Sequence, residues 1–139
     1  MLVALAITAS AAASPAQCRE IPIGEMVETY AGLIQHQDSG AIAHLFGTNG
    51  YIANPGQEPV RGEVAILKLL SSFKSAVVKS EKMTIASVDR VNANWRVTGH
   101  FHQAGTTPQG KDYDVGGSFD SIWTCTADGW RIGRMATGN

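Results

Sequence analysis

The chain has 139 residues, 44% of them hydrophobic, with 11 basic and 12 acidic side chains and a formal net charge of −1. That length fits one domain with a real core. The near balance of charge lacks the basic stripe of an electrostatic nucleic-acid binder, so nucleic acid is not an expected partner.

Leu2 to Ala13 form an uncharged, alanine-rich apolar run. It is shorter than the roughly 20 residues a membrane-spanning helix needs. Small residues at Ala11, Ala13 and Ala16 follow a small-x-small pattern. Residues 1–16 therefore read as a secretory signal peptide and residues 17–139 as one domain. A periplasmic or secreted protein is expected, with no membrane attachment once the signal is removed. The alternative is an apolar N-terminal extension of a cytosolic protein. Cys18 and Cys125 are the two cysteines. An oxidising compartment would allow them to pair across a loop of about 100 residues; otherwise they remain two separate thiols.

Ile23, Met26, Val27, Tyr30, Leu33 and Ile34 recur at helical spacing and predict a helix over 24–37. Asp38 and Ser39 offer capping oxygens for a second helix over 41–46. Residues 51–54 read as a short strand stopped by Pro55-Gly56. After Arg61-Gly62, Val64, Ile66, Leu67, Leu70, Phe73 and Val77 predict the buried stripe of a third helix. From Met83 the period changes to two, with Met83, Ile85 and Val88 in an irregular strand. Asn92-Ala93-Asn94 turns into a strand in which Trp95, Val97, Gly99 and Phe101 alternate with Arg96, Thr98, His100 and His102. A hairpin loop over 106–112 leads to a long strand over 113–125, with a bulge or bend expected at Gly116-Gly117. Asp128-Gly129 turns into a last strand over 130–135. Helices first and antiparallel strands afterwards predict an α+β fold, with the helices on one face of a curved sheet.

Tyr30-x-x-Leu33, Asp38, Ile42, Leu45-Phe46, Pro55, Glu58-Pro59, Gly62 and Ala65-Ile66 occur in the order seen in ketosteroid isomerases and SnoaL-like polyketide cyclases. Phe119-Asp120 and Asp128-Gly129-Trp130-Arg131-Ile132 resemble the last hairpin of the same superfamily. The chain thus resembles the SnoaL-like branch of the nuclear transport factor two-like superfamily. The resemblance implies a cone-shaped sheet around a pocket for a small, largely apolar molecule. It also implies a homodimer through the outer sheet face, where Arg96, Thr98, His100, His102 and Trp123 would lie.

In the ketosteroid isomerases a carboxylate moves a proton while a tyrosine and a neutral aspartic acid hold the enolate oxygen. The resemblance places Tyr30 at the tyrosine position and Asp120 at the aspartic acid position. At the base position it places Asn54, an amide that cannot accept a proton at neutral pH. The polar and aromatic lining expected from this comparison is Tyr30, Tyr51, Asn54, Trp95, Phe101, Ser118 and Asp120. Ile34, Leu70, Phe73, Val97 and Ile122 would supply apolar walls, and Gly99 would leave room for ligand. Tyr30, Asn54 and Asp120 each have a bland reading beside the functional one, as a core tyrosine, a turn residue and a paired aspartate. His100 and His102 read as solvent-facing rather than as metal ligands. No P-loop, Rossmann fingerprint, H-E-x-x-H or G-x-S-x-G is present, so no cofactor is expected and no metalloprotease or α/β-hydrolase is indicated. Two functions stay open at this point, an acid-base pocket and a non-catalytic dimeric module.

Overall fold

The computed structural model describes Cys18 and residues 21–139. The expected signal segment, residues 1–16, lies outside the described residues. Three helices come first: α1 (Ile23–Gln35), α2 (Ser39–Phe46) and, after two short strands, α3 (Glu63–Ser71). The strands are β1 (Tyr51–Ala53), β2 (Val60–Arg61), β3 (Val77–Val91), β4 (Asn94–Thr106), β5 (Asp112–Thr126) and β6 (Gly129–Gly138). They form one sheet in the order β2-β1-β6-β5-β4-β3, antiparallel except where β1 runs parallel to β6. The α+β expectation is met, with β2 as an added edge strand.

Each helix is built by its apolar spacing. Met26, Val27, Tyr30 and Ala31 are the buried face of α1. Asp38 caps α2, its carboxylate accepting from the Ala41 N–H at 3.1 Å. Ile42, Ala43, Leu45 and Phe46 then pack inward. Tyr30 meets Phe46 edge to face, with ring centroids 6.3 Å apart.

The third helix differs from its prediction. It ends at Ser71, and Val77 opens β3 instead of closing a helical stripe. Only Ile66 is buried on α3; Val64 is 84% exposed and Phe73 53%. Ile66 joins the core with Leu69 and Leu70 packed against it, and Leu69 and Leu70 also border a cavity, whereas Val64 and Leu67 face solvent.

The N-terminal segment is tied to the last hairpin. Cys18 and Cys125 form a disulfide, with Cα atoms 5.9 Å apart. The Trp130 indole N–H donates to the Cys18 and Ile21 carbonyls at 3.1 and 2.8 Å.

Two irregularities shape β3. The register against β4 shifts between Val78 and Ser80 and again between Ile85 and Ser87. A bulge bends a strand and raises its twist, which curves the sheet around its concave face. No bulge against β4 falls at Gly116-Gly117: β5 pairs with β4 in unbroken register from Asp112 to Trp123. A Cβ at Gly117 would collide with the Gly138 carbonyl, so close approach to the end of β6 requires that glycine. The irregularity on β5 instead falls between Ile122 and Trp123, opposite β6.

Candidate functional site

A cavity of about 580 Å³ lies between the concave face of the sheet and the helices. Ile34 and Ile42 close it from α1 and α2, Leu69, Leu70 and Phe73 from α3 and the turn after it. Met83, Phe101, Phe119 and Met135 form its floor. A mostly apolar cleft with a few convergent polar groups is the usual form of a small-molecule site.

Those polar groups come from facing strands. Glu81 and Gln103 are register partners on β3 and β4. Gln103 donates its side-chain N–H to Glu81 Oε2 at 2.7 Å. Tyr113, on β5, donates its hydroxyl to Gln103 Oε1 at 3.0 Å. The Tyr113 bond fixes the amide orientation, so the Gln103 NH₂ points at the carboxylate. Burial pushes the Glu81 carboxyl up to about 7, against the lowering effects of the Gln103 hydrogen bond and the nearby His102. Among the described residues no Lys or Arg forms an ion pair with Glu81.

Tyr30 lines the same cavity and is 6% exposed. Its hydroxyl has no hydrogen-bond partner among the described residues, yet it is not among fully enclosed unsatisfied atoms. Burial, and then the Glu81 carboxylate, push its pKa well above the ordinary tyrosine value. It therefore stays protonated and remains a hydrogen-bond donor. Gln37 at the end of α1 uses both ends of its amide on the chain entering β3: it donates to the Ala76 carbonyl at 2.7 Å and accepts from the Val78 N–H at 3.0 Å. Asn54 also lines the cavity, where its Oδ1 accepts from the Thr137 hydroxyl at 2.8 Å.

Of the residues expected in the lining, Tyr30, Asn54 and Phe101 are there, with Ile34, Leu70 and Phe73. The others are elsewhere. Tyr51 lies beneath the Arg61 guanidinium, 4.4 Å from its ring centroid, while its neighbour Ile52 faces the cavity. Trp95 sits beside Arg90, near the β3–β4 turn and away from the cavity. Val97 is buried in the packed core. Ser118, Asp120 and Ile122 belong to the opposite face of β5, because Phe119, Ser121 and Trp123 point inward. One residue of register reverses every side chain of a strand. Ser121 is the misleading residue: it is polar but wholly buried, donating to the Val97 carbonyl and accepting from the Trp123 indole. Trp123 for the same reason is a core residue, not part of the outer face.

Asp120 is consequently not a neutral acid in an apolar pocket. It pairs with Arg96 through two hydrogen bonds, at 3.0 and 2.5 Å, and lies 3.8 Å from Arg134. The Arg96 hydrogen bond holds its carboxyl below the usual carboxylate range. Gly99 does not make room for ligand either. A Cβ there would fall on the Thr84 carbonyl and against the Phe119 ring. His100 and His102 are exposed, and His102 lies 2.5 Å from Asp114. No group of three metal-ligating side chains comes together among the described residues.

Glu81, Gln103 and Tyr113 are the site residues that sequence reasoning missed. Continuing the two-residue period upstream from Met83 and downstream from Phe101 would have reached Glu81 and Gln103 on the same face.

A curved antiparallel sheet folded over N-terminal helices to enclose a cavity defines a cone of the nuclear transport factor two-like class. The SnoaL-like domain family matches residues 20–136, and the chain belongs to that family. Three solved structures show the likeness. A nuclear transport factor two-like protein with a cystatin-like fold from Novosphingobium aromaticivorans is 20% identical, with TM-score 0.71, covering 88% of this chain and 81% of that one. A conserved protein from Planctomyces limnophilus is 18% identical, with TM-score 0.74, covering 85% and 93%. A ketosteroid isomerase-like protein from Erwinia carotovora is 16% identical, with TM-score 0.72, covering 83% and 91%. At these identities the likeness speaks for the fold alone. No curated protein matches the chain.

Proposed function

We propose that this is an exported pocket protein that binds a small, largely apolar molecule carrying one or two polar groups. The observation that carries the reading is the cavity of about 580 Å³, apolar on most sides, into which Tyr30, Asn54 and Glu81 converge. Such a combination orients a ligand through few polar contacts and binds it through apolar burial. Export is supported by the apolar run before Ala16 and by the Cys18–Cys125 disulfide, which an oxidising compartment favours. Pairing of two copies through the outer sheet face has less behind it, since Arg96, Asp120 and Arg134 already satisfy one another there.

A thermal-shift screen against steroids, polyketide-like aromatics, fatty acids and lactones tests the reading. A ligand at 100 times its dissociation constant stabilises the fold by about 2.7 kcal/mol. A saturable shift in the parent, weakened in Leu70→Trp, whose larger side chain narrows the cavity, is the expected result. No shift from any of these classes in folded protein would remove the reading.

A further inference from the structure

We propose that the cavity takes an apolar amine, its ammonium group pairing with the Glu81 carboxylate. The proposal rests on the reading of the cavity as a small-molecule site and names the polar group its ligand carries. Glu81 is the one carboxylate among the described residues that line the cavity. A charge on an apolar wall is costly unless it is paired. Gln103 gives Oε2 a hydrogen bond but no charge. Among the described residues no protein group bonds the other oxygen, and no Lys or Arg forms an ion pair with the carboxylate. The Tyr113–Gln103–Glu81 chain holds that carboxylate in one orientation. The cavity therefore presents a fixed acceptor that lacks a cation.

An ammonium supplies both things this carboxylate lacks, an N–H for the free oxygen and a positive charge. An alcohol would give the hydrogen bond alone, and an acid would set two like charges together. The walls suit a cation as well. Tyr30, Phe101, Tyr113 and Phe119 bring aromatic rings to the lining. Such rings attract ammonium groups through their faces, more strongly where water is excluded. The Tyr30 hydroxyl has no protein partner among the described residues, and its oxygen can accept a further N–H.

The pairing depends on pH through Glu81. Burial pushes its carboxyl up to about 7, against the Gln103 hydrogen bond and His102 on β4. Tyr30 from α1 and Tyr113 from β5 stay protonated, their pKa values pushed up chiefly by burial. Lys74, after α3, is the one cationic side chain in the described lining and does not pair with Glu81. The lining residues of α2, β1 and β6 are not titratable. Below about 7 an ammonium must displace the Glu81 proton to solvent, and above that value it meets the carboxylate already ionised.

2-Aminoindane, 2-indanol and indane-2-carboxylate share one bicyclic frame and differ in the polar group. Calorimetric titration with each, at pH 8 and pH 6, tests the proposal. At pH 8 the amine should bind at least about tenfold tighter than the alcohol, and the acid weakest of the three. Glu81→Gln should bring amine and alcohol within about twofold of each other. In the parent the amine should weaken about tenfold from pH 8 to pH 6, while the alcohol changes little. At pH 6 it should also release about one proton on binding, read from the heats in two buffers. This pH dependence stands without the variant, should Glu81→Gln not fold. An alcohol bound as tightly as the amine at pH 8 would overturn the proposal and leave the pocket standing. So would an amine preference unchanged in Glu81→Gln, or an amine affinity that is flat between pH 6 and pH 8. If none of the three binds, the pocket reading falls and this proposal with it.

Discussion

Glu81 and Gln103 face each other as register partners on β3 and β4, and the Gln103 amide nitrogen lies 2.7 Å from the Glu81 carboxylate. The pairing decides what the cavity can do. An amide donor supports the ionised acid without supplying the full charge that an arginine would. Glu81 thus keeps a carboxyl poised near 7 rather than far below it. Arg96 shows the contrast on the outer face, where its guanidinium holds Asp120 firmly ionised.

Stability should fall as pH rises through the weakly acidic range. The folded protein holds the Glu81 proton up to about 7, whereas the unfolded chain releases it near the ordinary 4.5. Glu81 therefore contributes most below the unfolded value, loses that contribution between about 4.5 and 7, and is flat above. Its partial exposure screens the effect, which we expect to be about 1 kcal/mol, well below the unscreened conversion. Urea unfolding at pH 5 and pH 8 should show this loss in the parent and not in Glu81→Gln, which should be the more stable of the two at pH 8.

Asp120 should act in the opposite direction and at lower pH. Its carboxyl is held down by Arg96, so its stabilisation is present above the ordinary carboxylate value of 3.8 and is lost as pH falls below it. Asp120→Asn should accordingly flatten the acid limb of the unfolding curve. It should leave ligand affinity unchanged, because Asp120 faces away from the cavity. A tenfold loss of affinity in this variant would contradict the placement.

Tyr113→Phe should raise the Glu81 pKa further. The variant removes the hydroxyl that donates to Gln103 Oε1, which frees the amide to rotate away from the carboxylate. The cost in stability should be about 1 kcal/mol, as for one hydrogen bond. Carboxyl-carbon NMR of Glu81 through pH 5 to 9 would read the shift; an unmoved midpoint would show that Tyr113 does not orient Gln103.

Much of this fold is legible in the sequence, because Met26, Val27, Tyr30 and Ile34 repeat at helical spacing and Trp95 to Phe101 alternate. The third helix is less so. Leu70, Phe73 and Val77 continue its period, but the chain leaves the helix after Ser71, and Phe73 and Leu70 face a void that spacing cannot reveal. The site was legible on α1 and β4, where Tyr30 and Phe101 follow strong patterns. It was not on β5, whose inward Ser121 and outward Ile122 invert the usual polarity and lend Asp120 a false inward position. Glu81 was hidden for a related reason: the bulge at Lys79 breaks the alternation just before it, and a charged residue there reads as a solvated edge.

Cys125→Ser should cost about 3 to 5 kcal/mol. The disulfide spans 107 residues of sequence, a long loop whose closure restricts the unfolded chain strongly. The N-terminal segment would then be held chiefly by the Trp130 indole bonds to Cys18 and Ile21. Urea unfolding of the variant, beside the parent with and without reductant, checks the size of the effect. Equal midpoints in the variant and the reduced parent are expected.

Gly99→Ala should be one of the most damaging single-methyl changes in the protein. Gly99 lies in the middle of the sheet, paired with Ile85 on β3 and Phe119 on β5. The added Cβ would fall on the Thr84 carbonyl oxygen, and the Phe119 ring would be only 2.8 Å away. The ring could turn, but the carbonyl belongs to the β3 backbone beside the shift at Ile85/Ser87. Relieving the clash therefore means opening the β3–β4 pairing where the sheet bends. Overpacking of this kind costs about 1 to 3 kcal/mol, and a fixed backbone oxygen places Gly99→Ala at the upper end. Thermal unfolding would read it as a lowered midpoint. A cavity that used Gly99 as ligand space would give a different result, an unchanged midpoint with weakened binding.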